Sequence, residues 1–221
     1  MTHAYAEEYL NDAMDNLGEA FDYAVNACSL GIDEFMSLFI ASGYGEGFGK
    51  GNPKYVSGLS GTELVMEIVR RSGKQVSFPE QQPEYDYSPE YWCGWILAYY
   101  QWETGRSFKD IHDNISMLEI RKLYGTLHEA AEEKFVDTVN AIIRKRNAPS
   151  KLQRQRKRCG YSQKELAEKS GVNLRTLQQY ELKTKDIGKA SVQAVVALAN
   201  VLGCRAEDLL EHSTAEGDEA D

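Results

Sequence analysis

The apolar residues in the first part of the chain recur three or four positions apart, and this spacing predicts a series of helices. The stretch from Tyr5 to Cys28 has acids opposite its apolar face, which predicts one long amphipathic helix. The apolar face consists of Tyr9, Leu10, Ala13, Leu17, Phe21, Ala24 and Val25. The apolar run after Gly31 predicts a second helix with Asp33 as its N-cap, and residues 60–73 predict a third helix capped by Thr62.

Two segments near these helices lack a helical pattern. Glycine occupies every second position from Gly43 to Gly51, a density that suggests a phosphate-binding loop. Such a loop follows a strand and precedes a helix N-terminus, whereas here a predicted helix precedes it and Asn52-Pro53 follows. We therefore expect a flexible, turn-rich connection at this position. Residues 76–89 contain three prolines and predict an extended surface connection.

The segment after Ser88 is the most aromatic part of the chain. Ser88, Pro89 and Glu90 form a typical helix start, and the helix that follows carries aromatic residues on nearly every side. This pattern favours the central core helix of an N-terminal domain. The alternative is that one stripe stays exposed and binds a partner protein, because Trp and Tyr dominate interface hot spots. The residues of that possible partner surface are Trp92, Trp95, Tyr99 and Trp102.

Residues 107–147 predict two short helices and a last long one, which complete an all-helical module. The last helix has an apolar stripe of Ala130, Phe135, Val139, Ile142 and Ile143. His112 with Asp113 and His128 with Glu129 are candidate metal ligands or acid–base groups, but neither pair has HExxH spacing and a third ligand is missing. Since no nucleophile and base can be paired from the sequence, we expect no enzymatic activity, no metal and no cofactor.

The segment from Asn147 to Ser150 contains a proline and a possible helix cap, and it predicts a domain boundary. Five short helices are expected after it: Lys151 to Cys159, one capped by Ser162, one capped by Asn173 and ending near Glu181, Lys189 to Leu202, and Ala206 to Glu211. Between the second and third helices, Gly171 permits a sharp reversal and Ala167 permits a close crossing, which is typical of a helix-turn-helix. The expected core contains Leu152, Leu166, Val172, Leu177, Val192, Val195, Val196, Leu198, Leu202, Leu209 and Leu210.

These patterns predict an all-α protein: an N-terminal helical domain followed by a five-helix domain. The helical domain is expected at residues 1–146, a linker at 147–150, the second domain at 151–212 and a disordered acidic tail at 213–221. The first domain has no role that its residues alone would identify.

Charge is distributed unevenly along the chain, although the total is −9. Residues 1–149 hold 13 Lys or Arg against 23 Asp or Glu, a net charge of −10, whereas residues 150–212 hold 12 against 7, a net charge of +5. Eight basic residues and no acid lie between Arg144 and Arg158. The basic part coincides with the predicted helix-turn-helix, which favours a nucleic-acid partner.

Compartment and redox state follow from simpler features. The chain has no apolar run of membrane-spanning length, and its first residues are acidic where a signal peptide would be basic and then apolar. Four scattered cysteines without a CxxC pair indicate reduced, mostly buried thiols. We therefore expect a cytoplasmic protein.

The run from Leu152 to Leu210 resembles the Cro/C1-type helix-turn-helix (XRE) family of phage repressors and bacterial regulators. The shared features are the Ser-Gln helix start, LAE, the Gly-Val turn, the Tyr-Glu helix end and the closing LANVLG. The sequence differs where Lys183 stands near the usual glycine and Ile187 occupies a position often held by proline. The N-terminal region resembles, more vaguely, uncharacterised helical regions attached to such regulators.

The resemblance implies roles for individual residues. It implies a phosphate contact by Gln163 and positions near the DNA backbone for Asn173 and Thr176. The residues implied to contact bases are Leu174, Arg175, Gln178 and Gln179. It also implies an ion pair between Arg156 and Glu181. Independently of the resemblance, Arg175 and Gln179 lie four residues apart on one helical face. Arg175 suits bidentate hydrogen bonds to guanine, and Gln179 suits them to adenine. Three lysines after the helix that ends near Glu181 suit phosphate contacts: Lys183, Lys185 and Lys189.

We therefore expect a regulator that binds specific double-stranded DNA, acting as a repressor and as a homodimer on a pseudo-palindromic operator. Its N-terminal domain would then sense an effector or drive dimerisation. The alternative is an antitoxin, whose acidic N-terminal domain neutralises a partner toxin while the other domain autoregulates the operon.

Overall fold

A computed structural model describes residues 3–80 and 87–211, and in these ranges the chain is helical without strands. The fold is therefore all-α, as the sequence predicts. The chain divides into two compact units, an N-terminal unit up to Arg146 and a C-terminal unit from Asn147 onwards. None of the described helices combines the length and the apolar composition needed to cross a membrane.

The N-terminal unit packs its helices around one apolar core. Its helices are α1 (Leu10–Asp22), α2 (Ile32–Ala41), α3 (Tyr44–Gly49), α4 (Pro53–Val56), α5 (Gly61–Ser72), α6 (Pro89–Thr104), α7 (Phe108–Asn114), α8 (Met117–Leu127) and α9 (Glu132–Asn147). A 3-10 turn at Glu7–Tyr9 precedes α1 and a π-helical turn at Tyr23–Ala27 follows it, so that the predicted first helix is one helical path with three geometries. Its predicted apolar face is buried except for Tyr9 and Val25, which are half-buried.

Two of the predicted helix caps are wrong, because capping depends on a reciprocal partner three residues later. The second helix begins after Gly31, whose N–H donates to Glu34 (3.2 Å), and Asp33 instead accepts the backbone N–H of Met117 at 2.6 Å. The third helix is capped by Ser60, which exchanges hydrogen bonds with Glu63, and Thr62 is the second residue of the helix.

The glycine-rich segment is not the flexible connection that its composition predicts. It forms α3 and α4, which bury Tyr44, Phe48 and Val56 in the core. Gly47 serves close packing, since a Cβ at this position would lie 2.5 Å from the ring of Tyr55. Three apolar anchors at suitable spacing therefore outweigh the low helix propensity of glycine.

The aromatic helix α6 is the central core helix of the N-terminal unit, with Ser88 accepting the N–H of Tyr91 as its cap. It crosses α1 at very short range, because Gly94 has no side chain to separate the two backbones. A Cβ at Gly94 would lie 2.2 Å from the carbonyl oxygen of Leu17. Gly61 of α5 meets α1 in the same way, with a Cβ position 2.5 Å from the backbone nitrogen of Ala20.

The remaining predictions for this unit are met in part. Residues 74–80 form the non-helical connection expected there, whereas residues 81–86 lie outside the described ranges. In α9, Phe135, Val139 and Ile143 are buried as expected. Ile142 is half-buried and Ala130 precedes the helix.

The C-terminal unit consists of short helices around a second core. They are α10 (Lys151–Arg158), α11 (Gln163–Ser170), α12 (Leu174–Glu181) and α13 (Val192–Leu202), with 3-10 turns at Ile187–Lys189 and Ala206–Leu209. The fourth helix thus starts three residues later than predicted, capped by Ser191, and the predicted fifth helix is a single 3-10 turn. The predicted acidic tail lies outside the described residues.

Two valines predicted to be in this core are on the surface. Val192 is 77% exposed and Val196 is 41% exposed. The helix that carries them is apolar on nearly every side, so that periodicity cannot select its buried face. Val195, Leu198 and Leu202 provide that face, and Val172 and Leu210 are only partly buried.

We expect Gly94→Ala to destabilise the N-terminal unit by about 1–3 kcal/mol or more, because the added methyl group would overlap the backbone of α1. The measurement is thermal unfolding followed by tryptophan fluorescence, which reports this unit alone since Trp92, Trp95 and Trp102 all lie in it. Gly125→Ala is the matched control: Gly125 lies inside α8 with no atom within 4 Å of its Cβ position, and alanine there should stabilise by about 0.5–1 kcal/mol. Equal effects of both substitutions would contradict the close crossing.

Candidate nucleic-acid interface

The turn between α11 and α12 is defined by hydrogen bonds at both helix starts. Ser162 accepts the N–H of Glu165 at 3.1 Å, and Glu165 accepts the N–H of Ser162 at 2.7 Å. Gly171 ends α11 with φ of 68°, a conformation that glycine adopts without strain. Asn173 then caps α12 by accepting the N–H of Arg175 at 2.9 Å. Both helices therefore begin at residues set by local sequence.

Two faces of α12 have opposite environments. Leu177 and Tyr180 are buried against α11, where Leu166 and Ala167 are buried as well. On the other side, Leu174 and Arg175 are exposed, and Gln178 and Gln179 are half-exposed. Because the second pair follows the first by four positions, or about one helical turn, the four residues form one continuous outward face. The structure thus brings together the residues expected to contact bases.

A buried ion pair holds the C-terminal end of α12. Arg156 of α10 donates from Nε to Oε1 of Glu181 at 2.6 Å and from Nη2 to Oε2 at 2.9 Å. It also donates from Nη1 to the carbonyl of Tyr161 at 2.7 Å. The hydrogen bonds to the Glu181 carboxylate raise the pKa of Arg156 above its ordinary value. This bidentate pair fixes the distance between α10 and α12.

Gln163 takes part in the same network, a contact that the sequence did not indicate. Its Nε2 donates to Oε2 of Glu181 at 2.8 Å, and its Oε1 accepts from Nε2 of Gln178 at 3.4 Å. The buried ion pair is thereby connected to the outward face of α12. Gln163 lies at the first position of α11, half-exposed, where a phosphate contact would compete with these bonds.

Four of the six residues expected near the DNA backbone border one groove. A cavity of about 600 Å³ between α12 and the start of α13 is lined by Asn173, Thr176, Lys185 and Lys189. Lys185 lies with its Nζ 5.6 Å from the ring centre of Tyr180. Two ammonium groups and a helix cap at one groove make an environment that suits a phosphate.

Lys183 is placed differently from the other two lysines. Its Nζ donates to the carbonyl of Ala148 at 2.6 Å, and it does not line the groove. Its φ is 59°, the left-handed conformation for which glycine is usual at the end of a helix. Ile187, at the other unusual position, is 4% exposed and belongs to the core. The loop therefore compensates for both unusual residues without losing its helix-ending geometry.

The possible partner surface on α6 is mostly inside the protein. Trp92 and Trp102 are buried, and Trp102 donates from Nε1 to the carbonyl of Tyr5 at 2.9 Å. Trp95 and Tyr99 are half-exposed. Only these two can meet a partner without a rearrangement of the core, because the other two complete it.

The candidate metal and thiol residues are not assembled into a site. In the described ranges, no three His, Cys, Asp or Glu side chains lie close enough together to hold a metal ion. His112 lies 3.9 Å from Asp33, and His128 stacks on Tyr124. The four cysteines are free thiols, but only Cys28 and Cys93 are buried, so that the expectation of mostly buried thiols is met for half of them.

We expect Glu181→Gln to destabilise the C-terminal unit by about 3–5 kcal/mol, because it leaves the buried Arg156 guanidinium without a counter-charge. The double variant Arg156→Met, Glu181→Leu should recover most of that loss, since apolar side chains of similar volume replace both charges. Hydrogen exchange of the α10 and α12 amides in the full chain measures the effect. A single variant with unchanged protection, or a double variant worse than the single one, would contradict the role of the pair.

Comparison with known proteins agrees with this geometry. Residues 152–209 match the family model described as Helix-turn-helix, and the match does not extend to the N-terminal unit. The chain has no significant match among curated proteins or among solved structures. With Gly171 at the turn, Asn173 at the cap and α12 facing outward, residues 152–209 are a Cro/C1-type helix-turn-helix, the DNA-binding domain of transcription regulators.

Proposed function

We propose that the protein is a sequence-specific repressor that binds double-stranded DNA as a dimer, with α12 in the major groove. The observation that carries this proposal is the outward face of α12, which presents Arg175 and two glutamines while the buried Arg156–Glu181 pair holds the helix in place. A polar face on a rigid support is what base recognition requires, because a mobile helix would lose binding energy to ordering.

The side chains of this face match base edges. Arg175 is exposed and can donate two hydrogen bonds to O6 and N7 of guanine. Gln179, one turn later, can pair with N6 and N7 of adenine. Gln178 is half-exposed on the same face and can add a further polar contact. Leu174 adds an apolar contact of the kind that reads a thymine methyl group.

The groove between α12 and α13 supports backbone binding. Lys185 and Lys189 border it, together with Asn173 and Thr176. Contacts of lysines with phosphates carry affinity but no sequence information, and they weaken with salt. Gln163 and Lys183 are proposed to add to this set when DNA displaces their present partners.

Dimerisation is proposed because one such unit reads only a few base pairs, and two units on half-sites one helical turn apart read a specific operator. The exposed side chains of Val192 and Val196 support this proposal. They lie four residues apart on α13 and form an apolar surface that a second copy would remove from water.

We expect Arg175→Ala and Gln179→Ala each to weaken binding to the operator by about 5- to 150-fold, which corresponds to 1–3 kcal/mol, with little change for unrelated duplexes. The operator is first selected from random duplexes and from the DNA upstream of the gene, and affinity is then measured by titration at several salt concentrations. Lys189→Ala should weaken binding to both the operator and unrelated duplexes. It should also lower the slope of log affinity against log salt concentration by about 1.

Arg205→Ala is the control for this experiment, because it removes one positive charge from the same unit outside both α12 and the groove. It should leave sequence preference unchanged. The proposal fails if no duplex is selected, or if Arg175→Ala and Arg205→Ala have the same effect.

A second proposal concerns the N-terminal unit, which we infer to neutralise a basic partner protein such as a toxin. The supporting observation is the surroundings of the half-exposed Tyr99. Burial and then the carboxylates of Glu133, Glu103 and Glu132 raise the pKa of Tyr99. An aromatic side chain within an acidic surface suits the binding of a basic protein.

If this second proposal holds, the product of a neighbouring gene is toxic alone and harmless with the full chain. Tyr99→Ala should then reduce protection in a co-expression growth assay, whereas Arg175→Ala should retain it. Full protection by the Tyr99 variant, or a harmless neighbouring product, would count against the antitoxin role and leave DNA binding untouched.

A further inference from the structure

The N-terminal unit contains a cavity whose walls are aromatic. It has a volume of about 370 Å³, within the range of small-molecule sites. Its lining includes Tyr87, Tyr91, Trp95, Tyr124, His128 and the carboxylate of Asp15. The side chain of Trp92, which is 7% exposed, also borders the cavity. None of these residues belongs to the helix-turn-helix.

The rings of this cavity are arranged in advance by contacts with one another. Tyr87 stacks on Tyr91 with centroids 4.2 Å apart, and Tyr124 stacks on His128 at 4.5 Å. Trp92 meets Tyr124 edge to face at 5.5 Å and thereby connects the second pair to the core. A ligand therefore meets ordered aromatic walls, which reduces the entropic cost of binding.

Two features of α1 hold Tyr91 in position. A Cβ at Gly18 would lie 2.9 Å from its ring, so that the absence of a side chain there creates the space that the ring fills. The hydroxyl of Tyr91 donates to Oδ1 of Asp15 at 3.0 Å. Burial, with the nearby carboxylate of Asp15, raises the pKa of Tyr91, and the hydroxyl remains a donor.

The charge of the cavity is negative. Asp15 is exposed, and in the described part of the chain no lysine or arginine pairs with it. Glu19, one turn along α1, adds a second carboxylate whose field reaches Tyr91. Aromatic faces attract cations through their quadrupoles, and a carboxylate at the same site adds a direct charge interaction.

We propose that this cavity binds a small organic cation, a quaternary ammonium or alkylammonium group, among its aromatic walls and beside Asp15. An anion would be repelled by the carboxylates. A neutral planar heterocycle would need paired donors and acceptors along its edge, and most of the residues that line the cavity are aromatic. The proposal does not depend on DNA binding, but in a regulator the cation would serve as the effector of the N-terminal unit.

The experiment is isothermal titration of the full chain with choline and with tetramethylammonium. The comparison ligand is 3,3-dimethylbutan-1-ol, which has the shape of choline with carbon in place of the charged nitrogen. We expect choline to bind about tenfold more tightly than this alcohol, since only the cation gains from the ring faces and the carboxylate. Equal affinities, or no saturable binding of either cation, would overturn the proposal.

Two variants test the site itself. Asp15→Asn should weaken choline binding by about fivefold and leave binding of the neutral alcohol unchanged, because it removes only the charge. Asp12→Asn is the matched control, since Asp12 is exposed on the same helix and does not line the cavity, and it should bind choline as the unmodified chain does.

Tyr87→Ala gives an independent measurement on a residue that folding does not require, because its side chain is 75% exposed. It removes one wall and should also weaken choline binding. The proposal is wrong if both Asp15→Asn and Tyr87→Ala bind choline like the Asp12→Asn control.

Discussion

The position of α12, the second helix of the helix-turn-helix, depends on one buried carboxylate. Glu181 ends α12, and it accepts hydrogen bonds from Arg156 of α10 and from Gln163 of α11. Three helices therefore meet at two oxygen atoms with almost no exposure to water. A buried carboxylate is costly unless its oxygens accept hydrogen bonds. The Glu181 carboxylate therefore stabilises α12 in the observed position and would destabilise any position in which these donors were lost.

This arrangement explains how a short helix can keep a fixed position. Eight residues form only two turns, and an isolated helix of that length is unstable in water. Here Asn173 fixes its first turn, Leu177 and Tyr180 anchor its middle, and Glu181 fixes its end. The side chains on the outward face of α12 are therefore not needed to hold the helix. Gln178 is the exception, because its amide donates to Gln163.

The N-terminal unit is organised by a different constraint, the direct contact of backbones. Gly94 and Gly61 bring α6 and α5 against α1, and the aromatic side chains of α6 fill the spaces beside this crossing. Close packing of this kind transmits position accurately, because interiors have little free volume. Gly18 likewise lets the ring of Tyr91 pack closely on α1. This contact places Tyr91 in the wall of the aromatic cavity, beside Asp15.

Local sequence determined the helix-turn-helix of this protein. The caps Ser150, Ser162 and Asn173 and the turn at Gly171 act over three or four residues, and the starts of α10, α11 and α12 therefore follow from the sequence alone. The outward placement of Arg175 follows from the same short-range periodicity. The positive charge of residues 150–212 was equally readable, because composition needs no fold.

Tertiary structure decided what short-range patterns leave open. Only packing could show that the glycine-rich segment is helical, that Val192 faces solvent and that Gln163 joins the buried ion pair, since each depends on residues distant in sequence. The aromatic cavity likewise assembles side chains from α1, α6 and α8, and no spacing within one segment encodes it. The hydrogen bonds of a helix cap join residues that are close in sequence, whereas the burial of a side chain depends on which distant segments pack against it.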